Sequence, residues 1–260
     1  MKESEGKIQI ASAGYWHKGE TFKKVSKFLT SSLFFSVDYN NTKTKREDRK
    51  WHSLFWCLCC LGGLVEAVKN SEKNITLIGH SFGGFLIQHF LRDPENAQKI
   101  QKVILLAPVS CFGAWEVVKK FAQNFPWQFC KFSATLNPYH GIANMEMVRK
   151  IFFTPETDEQ IVQDCFNSLQ NDSFRIFLSM LFDLPIFYMK EIRENIKRYN
   201  IEIVVVAGEK DFLISPESAR KTAQALSENA KLIVLPDAPH NLHLTHPEKV
   251  AKIIVGEYEG

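Results

Sequence analysis

Residues 74–91 read NITLIGHSFGGFLIQHFL, and this stretch carries the clearest structural signal in the chain. The β-branched and apolar run Ile75–Gly79 predicts a buried strand, and Gly83–Leu91 predicts a helix directly after it. Between them, the G-x-S-x-G spacing places Ser81 on a sharp strand-to-helix turn, where glycine is needed because the strand and the helix pass too close for side chains. Such a turn lifts the hydroxyl clear of the sheet edge, so Ser81 is the candidate nucleophile.

Short apolar runs alternate with amphipathic stretches through most of the chain. Strands that are apolar throughout, each followed by a helix, imply a parallel sheet covered on both faces. The sequence therefore predicts an α/β fold with a mostly parallel, doubly wound sheet. The predicted strands are Ile8–Ser12, Leu33–Val37, Ile75–Gly79, Val103–Ala107, Ile203–Ala207 and Leu232–Leu235. The predicted helices are Glu20–Leu29, about 48–69, Gly83–Leu91, one that opens at Ser215–Pro216 and one after Pro247.

The interval 110–199 breaks this alternation. It has no convincing pair of strands, and it holds more than half of the chain's 21 phenylalanines. Thr157, with Gln160 three residues later, predicts a helix start with a capping box. We predict that 1–109 and 200–260 form the α/β core and that 110–199 form a helical cap, or lid, inserted over it.

A serine hydroxyl is a poor nucleophile at neutral pH unless a base takes its proton and a third group orients that base. Histidine suits the role of base because its ordinary pKa is about 6.5. His240 lies in the loop after the last predicted strand, and Asp211 lies just after the strand before it. Parallel α/β sheets place their sites at these strand ends. His243 and Glu209 are the nearest rivals for the two roles.

The chain order of these three candidates, serine then aspartate then histidine, is that of the α/β-hydrolase superfamily, which the chain resembles over nearly its whole length. GHSFGG at 79–84 resembles the family's nucleophile elbow, GEKDFLISP at 208–216 its acid loop, and PHNLHLTHPEKV at 239–250 its histidine loop. The runs VILLAPV and VRKIFF are similar to those of small lysophospholipase-like or esterase members. The resemblance thus implies the α/β-hydrolase fold and a Ser-His-Asp catalytic triad.

Two departures from the family pattern bear on the site. Only about seven residues precede the strand at Ile8, where the family usually has a β-hairpin, so we expect a sheet shortened at its N-terminus to six parallel strands. The family usually carries His-Gly after this strand, whereas this chain has Ser12-Ala13-Gly14-Tyr15. Since the oxyanion donor is a backbone N–H, the resemblance implies that Tyr15 supplies one donor and Phe82 the other.

The resemblance and the ordered triad together imply hydrolysis of a carboxylic ester through an acyl-enzyme intermediate. The phenylalanine-rich insertion predicts an apolar pocket, and hence apolar acyl esters of the kind that lipases, lysophospholipases and esterases cleave. Two alternatives stay open. One is a non-hydrolytic enzyme of this fold, of lyase or perhydrolase type, and the other is a ligand-binding receptor that reuses the triad pocket.

Composition argues against several other classes of function. The net charge is only +3, and the mixed-sign run Lys43–Lys50 lacks the interleaved aromatic residues of a nucleic-acid-binding surface. His240, His243 and His246 share a spacing of three, but the HExxH motif of many zinc enzymes is absent. No phosphate-binding loop or dinucleotide fingerprint occurs. We therefore expect a small-molecule ester as partner, with no cofactor, no metal and no nucleic acid.

Six cysteines and an N-terminus without a long apolar stretch predict a cytoplasmic protein with reduced thiols. Three of these cysteines lie in the most apolar segment, LFWCLCCLGGLV at 54–65. The segment is too short to cross a bilayer, and we predict a core helix there. Weak association of this segment with a membrane surface, or acylation of its cysteines, is the alternative. These features do not determine the oligomeric state.

Overall fold

The computed structural model describes residues 7–29, 32–39, 53–68, 75–142 and 144–258. Its strands are β1 Lys7–Ser12, β2 Ser32–Val37, β3 Ile75–His80, β4 Ile100–Leu106, β5 Glu202–Gly208 and β6 Lys231–Leu235. They form one six-stranded sheet in the order β2-β1-β3-β4-β5-β6, and each neighbouring pair is parallel. The predicted doubly wound α/β sheet of six parallel strands is confirmed.

Helices connect and cover these strands. They are α1 Lys23–Ser26, α2 Leu54–Val68, α3 Phe82–Phe90, α4 Pro94–Ala97, α5 Trp115–Asn124, α6 Pro126–Thr135, α7 Met145–Phe152, α8 Glu159–Ser168, α9 Phe174–Phe182, α10 Met189–Arg198, α11 Pro216–Leu226, α12 Leu242–Thr245 and α13 Pro247–Val255. The helix predicted over Glu20–Leu29 is shorter, because a 3-10 turn at Gly19–Phe22 leads into α1, which ends at Ser26. The charged run Lys43–Lys50 and the predicted start of the second helix near residue 48 lie outside the described residues.

One predicted helix start is wrong by a residue. The N-cap of α8 is Asp158, whose carboxylate accepts hydrogen bonds from the backbone N–H groups of Gln160 and Ile161. Thr157 instead accepts a hydrogen bond from the backbone N–H of Thr154, at 3.2 Å. A carboxylate is also favoured over a hydroxyl at this position because the helix N-terminus carries partial positive charge.

The two faces of the sheet are both buried. Alternate residues of each strand point to opposite sides, so in β3 Leu77 packs towards α2 and α3, while Ile78 packs towards α1 and α13. The same alternation holds in β4, where Leu105 and Ile104 belong to the two opposite core clusters. Burial on both sides explains why these strands are apolar throughout.

The residues described between β4 and β5 form α5–α10 and add no strand to the sheet. A separate apolar cluster joins α7 and α8 to the loops after β5 and β6, through residues such as Ile151, Val162 and Leu213. The last of these helices, α10, packs against α4 and α11, and Asn195 donates hydrogen bonds to the carbonyls of Leu91 and Arg92. The division into a core and a cap over 110–199 stays a prediction.

None of the helices within the described ranges is long and apolar enough to cross a membrane. The most apolar of them, α2, buries Cys57 and exposes Phe55, Trp56 and Cys59. All six cysteines are free thiols. Association of α2 with a membrane surface stays a prediction.

The carboxyl ends of the strands gather at one edge of the sheet. Sheet order reverses between β1 and β3, since the chain places β2 on one side of β1 and all later strands on the other. In open α/β sheets a crevice opens at such a switch point, and ligands bind there. Tyr15 follows β1 and Ser81 follows β3 at this point, and Asp211 and His240 follow β5 and β6 along the same edge.

Candidate active site

Ser81 occupies a strained turn between β3 and α3. Its backbone angles are φ 51° and ψ −114°, a region that residues with a side chain rarely adopt. Four backbone hydrogen bonds hold it there. Its N–H donates to the carbonyl of Leu106 at 3.0 Å, and its own carbonyl accepts from Val109 at 3.1 Å, from Gly84 at 3.0 Å and from Phe85 at 3.3 Å. The strain is thus supported by the end of β4 and the first turn of α3.

The glycines around Ser81 are required by close contacts. A Cβ atom on Gly79 would lie 2.7 Å from the backbone of Gly83, and one on Gly83 would lie 2.2 Å from the carbonyl oxygen of Ser12. Such distances are not tolerated between non-bonded heavy atoms, and both neighbours are backbone, which cannot move aside. The G-x-S-x-G spacing therefore reflects the contact of α3 with β3 and with the end of β1.

Asp211 and His240 form a buried pair. His240 Nδ1 lies 2.8 Å from Asp211 Oδ2, and both side chains are almost fully buried. The other carboxylate oxygen accepts hydrogen bonds from the backbone N–H groups of Leu213 at 2.8 Å and Ile214 at 2.9 Å. Because the carboxylate can only accept, Nδ1 must carry the proton, and the Nε2 lone pair is left available as a base.

The histidine loop is fixed on two further sides. His80 Nε2 donates to the carbonyl of His240 at 3.1 Å, which ties this loop to the residue before Ser81. Phe152 stacks on the His240 ring at 5.9 Å, and its carbonyl accepts from the N–H of Asn241. The structure thereby places the Asp211–His240 pair against His80, the residue before Ser81. Among the described residues, Ser81 Oγ and His240 Nε2 form no hydrogen bond with each other or with another residue.

The two rival residues lie in different surroundings. Glu209 is exposed, and its carboxylate accepts from the N–H of Asp237 at 3.2 Å. His243 is fully buried on α12, where its ring stacks on Phe22 at 4.9 Å and lies 4.3 Å from His80. Neither contacts the Asp211–His240 pair through a hydrogen bond among the described residues, so Asp211 and His240 remain the candidates.

The loop after β1, Gly14–His17, runs across the Ser81 turn, and we call it the oxyanion loop. A Cβ atom on Gly14 would lie 3.1 Å from Ser81 Cβ and 2.8 Å from His80 Nδ1, so glycine is needed for this approach. The backbone N–H groups of Tyr15 and Phe82 donate to no acceptor among the described residues. Phe82 is the first residue of α3. Unpaired N–H groups at a helix N-terminus and in a facing loop suit a developing negative charge.

Several residues that sequence reasoning did not single out support this site. Phe152, His17 and Asn241 pack around His240 or bond to its neighbours, and Gln170 and Asp172 bond to the oxyanion loop. Only their three-dimensional arrangement reveals them, because each lies far along the chain from the residue it contacts. His80, the residue before Ser81, likewise bonds to His240, 160 residues away.

Three histidines behind the site, His17, His80 and His243, are buried and form no ion pair with any carboxylate among the described residues. Burial lowers the pKa of His17 to about 4 and holds the pKa of His80 and of His243 well below the ordinary value. The neutral His17 ring bonds through Nδ1 to the Tyr15 carbonyl, at 2.9 Å, and its Nε2 accepts from Asn241, at 3.1 Å. Among the described residues, no group of three histidine, cysteine or carboxylate side chains could hold a metal ion.

These buried rings predict acid-sensitive stability. Above about pH 6.5, the folded and unfolded chains both hold His17 neutral, and it adds no pH dependence. Below that pH the unfolded chain takes up a proton and the folded chain does not, until the pH nears 4. The free energy of unfolding should therefore fall by up to about 1.4 kcal/mol per pH unit for His17 alone.

Urea unfolding between pH 4 and 8 measures this effect. His17→Gln should show a shallower decline than the native chain, and His140→Gln, at a half-exposed position, should retain the native slope. Parallel slopes for all three proteins would contradict the role given to the buried ring.

An apolar cavity of about 70 Å³ lies beside the oxyanion loop. Trp16 forms one wall, and Leu213, which donates its N–H to Asp211, forms another. The remaining walls come from the phenylalanine-rich helices and the chain between them. The residues are Trp16, Val117, Val118, Phe121, Phe129, Phe132, Pro138, Ile151, Phe177 and Leu213.

Comparisons with known proteins agree with the observed fold. The profile of a family described as alpha/beta hydrolase fold matches residues 68–247. A curated relative, proline iminopeptidase PfmaB from Pestalotiopsis fici, is 22% identical over 210 residues, which cover 76% of this chain and 72% of that protein.

Solved structures of low sequence identity share the fold. A thermophilic esterase from Thermogutta terrifontis has a TM-score of 0.69 at 16% identity, with 96% of this chain and 89% of that chain covered. A bromoperoxidase from Bacillus anthracis has a TM-score of 0.69 at 17% identity, with 96% and 92% covered. An esterase and a bromoperoxidase on one fold mean that the reaction must be argued from the site.

Proposed function

This chain belongs to the α/β-hydrolase fold family, and from that premise we propose that it is a serine hydrolase of carboxylic esters. Ser81 is the nucleophile, His240 the general base and Asp211 the residue that orients the base. The observation that carries the proposal is the buried Asp211–His240 contact of 2.8 Å at the sheet edge where Ser81 stands. That contact keeps a lone pair on Nε2, which a general base requires.

Acylation begins with attack of Ser81 Oγ on the ester carbonyl carbon while His240 Nε2 takes the hydroxyl proton. The carbonyl oxygen becomes an oxyanion that the N–H groups of Phe82 and Tyr15 stabilise. When the tetrahedral intermediate collapses, the C–O bond to the alcohol breaks, and His240 returns its proton to the departing oxygen. The products of this half-reaction are a free alcohol and an acyl ester on Ser81.

Deacylation repeats these steps with water as the nucleophile. His240 takes a proton from water, and the resulting hydroxide attacks the acyl carbon. The same N–H groups stabilise the second oxyanion, and Ser81 leaves with the proton that His240 returns. Asp211 stays ionised throughout and stabilises the imidazolium that forms in both halves. The net reaction consumes one ester and one water and releases one acid and one alcohol.

The apolar cavity supports an apolar acyl group in the substrate. Its walls expose no polar group, so an alkyl chain can be desolvated there, whereas a charged or hydroxylated acyl group would lose hydrogen bonds to water. Trp16 lines the cavity and directly follows Tyr15, the proposed oxyanion donor. A carbonyl bound at Tyr15 would therefore have its acyl chain close to the cavity mouth. Lipase-, lysophospholipase- and esterase-type substrates fit this description.

Hydrolysis of p-nitrophenyl esters from acetate to palmitate tests the proposed function. We expect turnover on at least part of the series, stoichiometric labelling of Ser81 by a fluorophosphonate, and one oxygen from labelled water in the released acid. Labelling without incorporation of solvent oxygen would favour a lyase-type reaction. Absence of both turnover and labelling would favour a ligand-binding role.

The cavity makes a separate prediction about acyl length. Val118→Phe places a ring in the cavity, and it should shift the preferred ester towards shorter acyl chains. We expect kcat/KM for the longest ester that the native chain accepts to fall about tenfold, with little change for acetate. The same series measures both values.

Val234→Phe is the matched control for this change. Val234 lies on β6 and is 37% exposed, so the added ring meets solvent and should leave the chain-length profile unchanged. An equal loss for acetate and for the long ester in Val118→Phe would mean that the cavity does not hold the acyl group.

A further inference from the structure

Two hydrogen bonds form within the oxyanion loop, and one of them joins His17 Nδ1 to the Tyr15 carbonyl at 2.9 Å. The other is a backbone hydrogen bond that runs from the N–H of His17 to the carbonyl of Gly14, at 3.0 Å. Trp16, between them, has φ 67°, in the left-handed region that disfavours a large side chain. A loop with such a residue keeps its shape only if its surroundings hold it.

That support comes from a segment far along the chain. The connection between α8 and α9, Leu169–Ser173, lies against the oxyanion loop, and we call it the bridge segment. The carboxylate of Asp172 accepts the N–H of Trp16, a residue 156 positions away. The N–H of Gln170 donates to the carbonyl of Trp16 at 3.0 Å. Both backbone groups of the strained residue are thereby bonded to the bridge segment.

Two further contacts fix the neighbours of Trp16. The Tyr15 hydroxyl donates to the carbonyl of Ser173 at 2.9 Å, and the Gln170 side chain donates to the carbonyl of His17 at 3.5 Å. The Tyr15 ring is buried and lies edge-on to Phe82, with 6.4 Å between the ring centroids. This packing and the bond to Ser173 together restrict the rotation of the Tyr15 side chain. With its ring held at Ser173 and the following peptide held at Asp172, Tyr15 has little freedom to rotate its own N–H.

We propose that Asp172, in the bridge segment, is a positioning residue. By accepting the N–H of Trp16 it holds the peptide after Tyr15, and so it directs the Tyr15 N–H at the oxyanion. The inference rests on the proposed function of Ser81 and deepens it. The charged acceptor suits the task because a hydrogen bond to a carboxylate is stronger and shorter than one to a neutral oxygen. Asp172 does not touch the reacting atoms, and it acts through the peptide that joins Tyr15 to Trp16.

Two substitutions at Asp172 test the proposal by pre-steady-state hydrolysis of p-nitrophenyl butyrate. Asp172→Ala removes the acceptor, and acylation should slow by about 10²- to 10³-fold, the loss typical of one oxyanion donor, while KM stays close to the native value. Asp172→Asn keeps an acceptor oxygen and should retain most of the rate. Asp164→Ala, at an exposed aspartate on α8, is the matched control and should behave as the native chain.

Hydrogen exchange provides a readout that does not depend on activity. Amide protection in a peptide spanning residues 13–18 should fall in Asp172→Ala and stay native in Asp172→Asn and Asp164→Ala. Native acylation by Asp172→Ala, or native exchange in its oxyanion loop, overturns the proposal. If the native chain itself neither turns over any ester nor labels at Ser81, the proposed function fails, and native exchange in Asp172→Ala would show separately that the bridge segment does not hold the loop.

Discussion

Ser81→Ala is expected to lower kcat for p-nitrophenyl ester hydrolysis by at least about 10⁴-fold. Without Oγ no acyl-enzyme forms, and the remaining His240 can only activate water for direct attack on the ester. The oxyanion donors and the acyl cavity remain, so substrate binding should persist and KM should change little. The measurement is steady-state hydrolysis across the ester series, together with fluorophosphonate labelling, which the variant should lose entirely.

The fold of this variant should stay intact, because the bonds that hold the Ser81 turn are made by its backbone. Alanine removes only the hydroxyl oxygen, which has no hydrogen-bond partner among the described residues. Ser168→Ala, on α8, is the matched control and should retain native activity and labelling. Ester turnover by Ser81→Ala at a rate near the native one would refute the proposed mechanism.

Asp211→Asn is expected to lower kcat by about 10⁴-fold, with the fold retained. One side-chain oxygen must still accept the N–H groups of Leu213 and Ile214, so the new amide nitrogen faces His240 Nδ1. That nitrogen can only donate, and it forces the proton of His240 onto Nε2. A protonated Nε2 cannot take the proton of Ser81, so the base is lost although its position is kept.

Glu209→Gln is the control for this prediction. Glu209 stands two residues before Asp211, is exposed and bonds to the backbone of Asp237, so its neutralisation should leave kcat close to the native value. Fluorophosphonate labelling rates measure the attack of Ser81 Oγ on phosphorus, which releases fluoride, separately from deacylation. An equal loss in both variants would point to a general electrostatic effect of the loop, and a loss in Glu209→Gln alone would reverse the assignment of the acid.

The strands and the Ser81 turn could be predicted from the sequence because each depends on residue types within a short stretch. A buried parallel strand needs side chains that are apolar on both faces, and this requirement appears as short runs such as Ile203–Ala207, now within β5. The turn requires small residues two positions before and after Ser81, and Gly79 and Gly83 meet backbone atoms there. Steric demands within a few residues are recorded directly in the residue types.

Helix ends were harder to predict from the sequence, because two good N-cap residues can stand next to each other. Thr157 and Asp158 are both good N-cap residues, and the choice of Asp158 depends on how Thr154 and the preceding turn are placed. Similarly, the pattern through Glu20–Leu29 favours a full helix, but the chain enters it by a 3-10 turn and leaves it at Ser26.

Residue types and their order along the chain were sufficient for the parallel α/β sheet, the strained Ser81 turn, and Asp211 and His240 as candidates at strand ends. Only the tertiary structure shows which histidine ring meets Asp211. His240 and His243 are three residues apart, but the His240 ring contacts Asp211, whereas the His243 ring on α12 stacks on Phe22. Tertiary structure alone also placed Asp172 on Trp16 and His80 on His240. Contacts between residues more than 150 positions apart depend on how whole helices pack, and no short stretch of sequence encodes that packing.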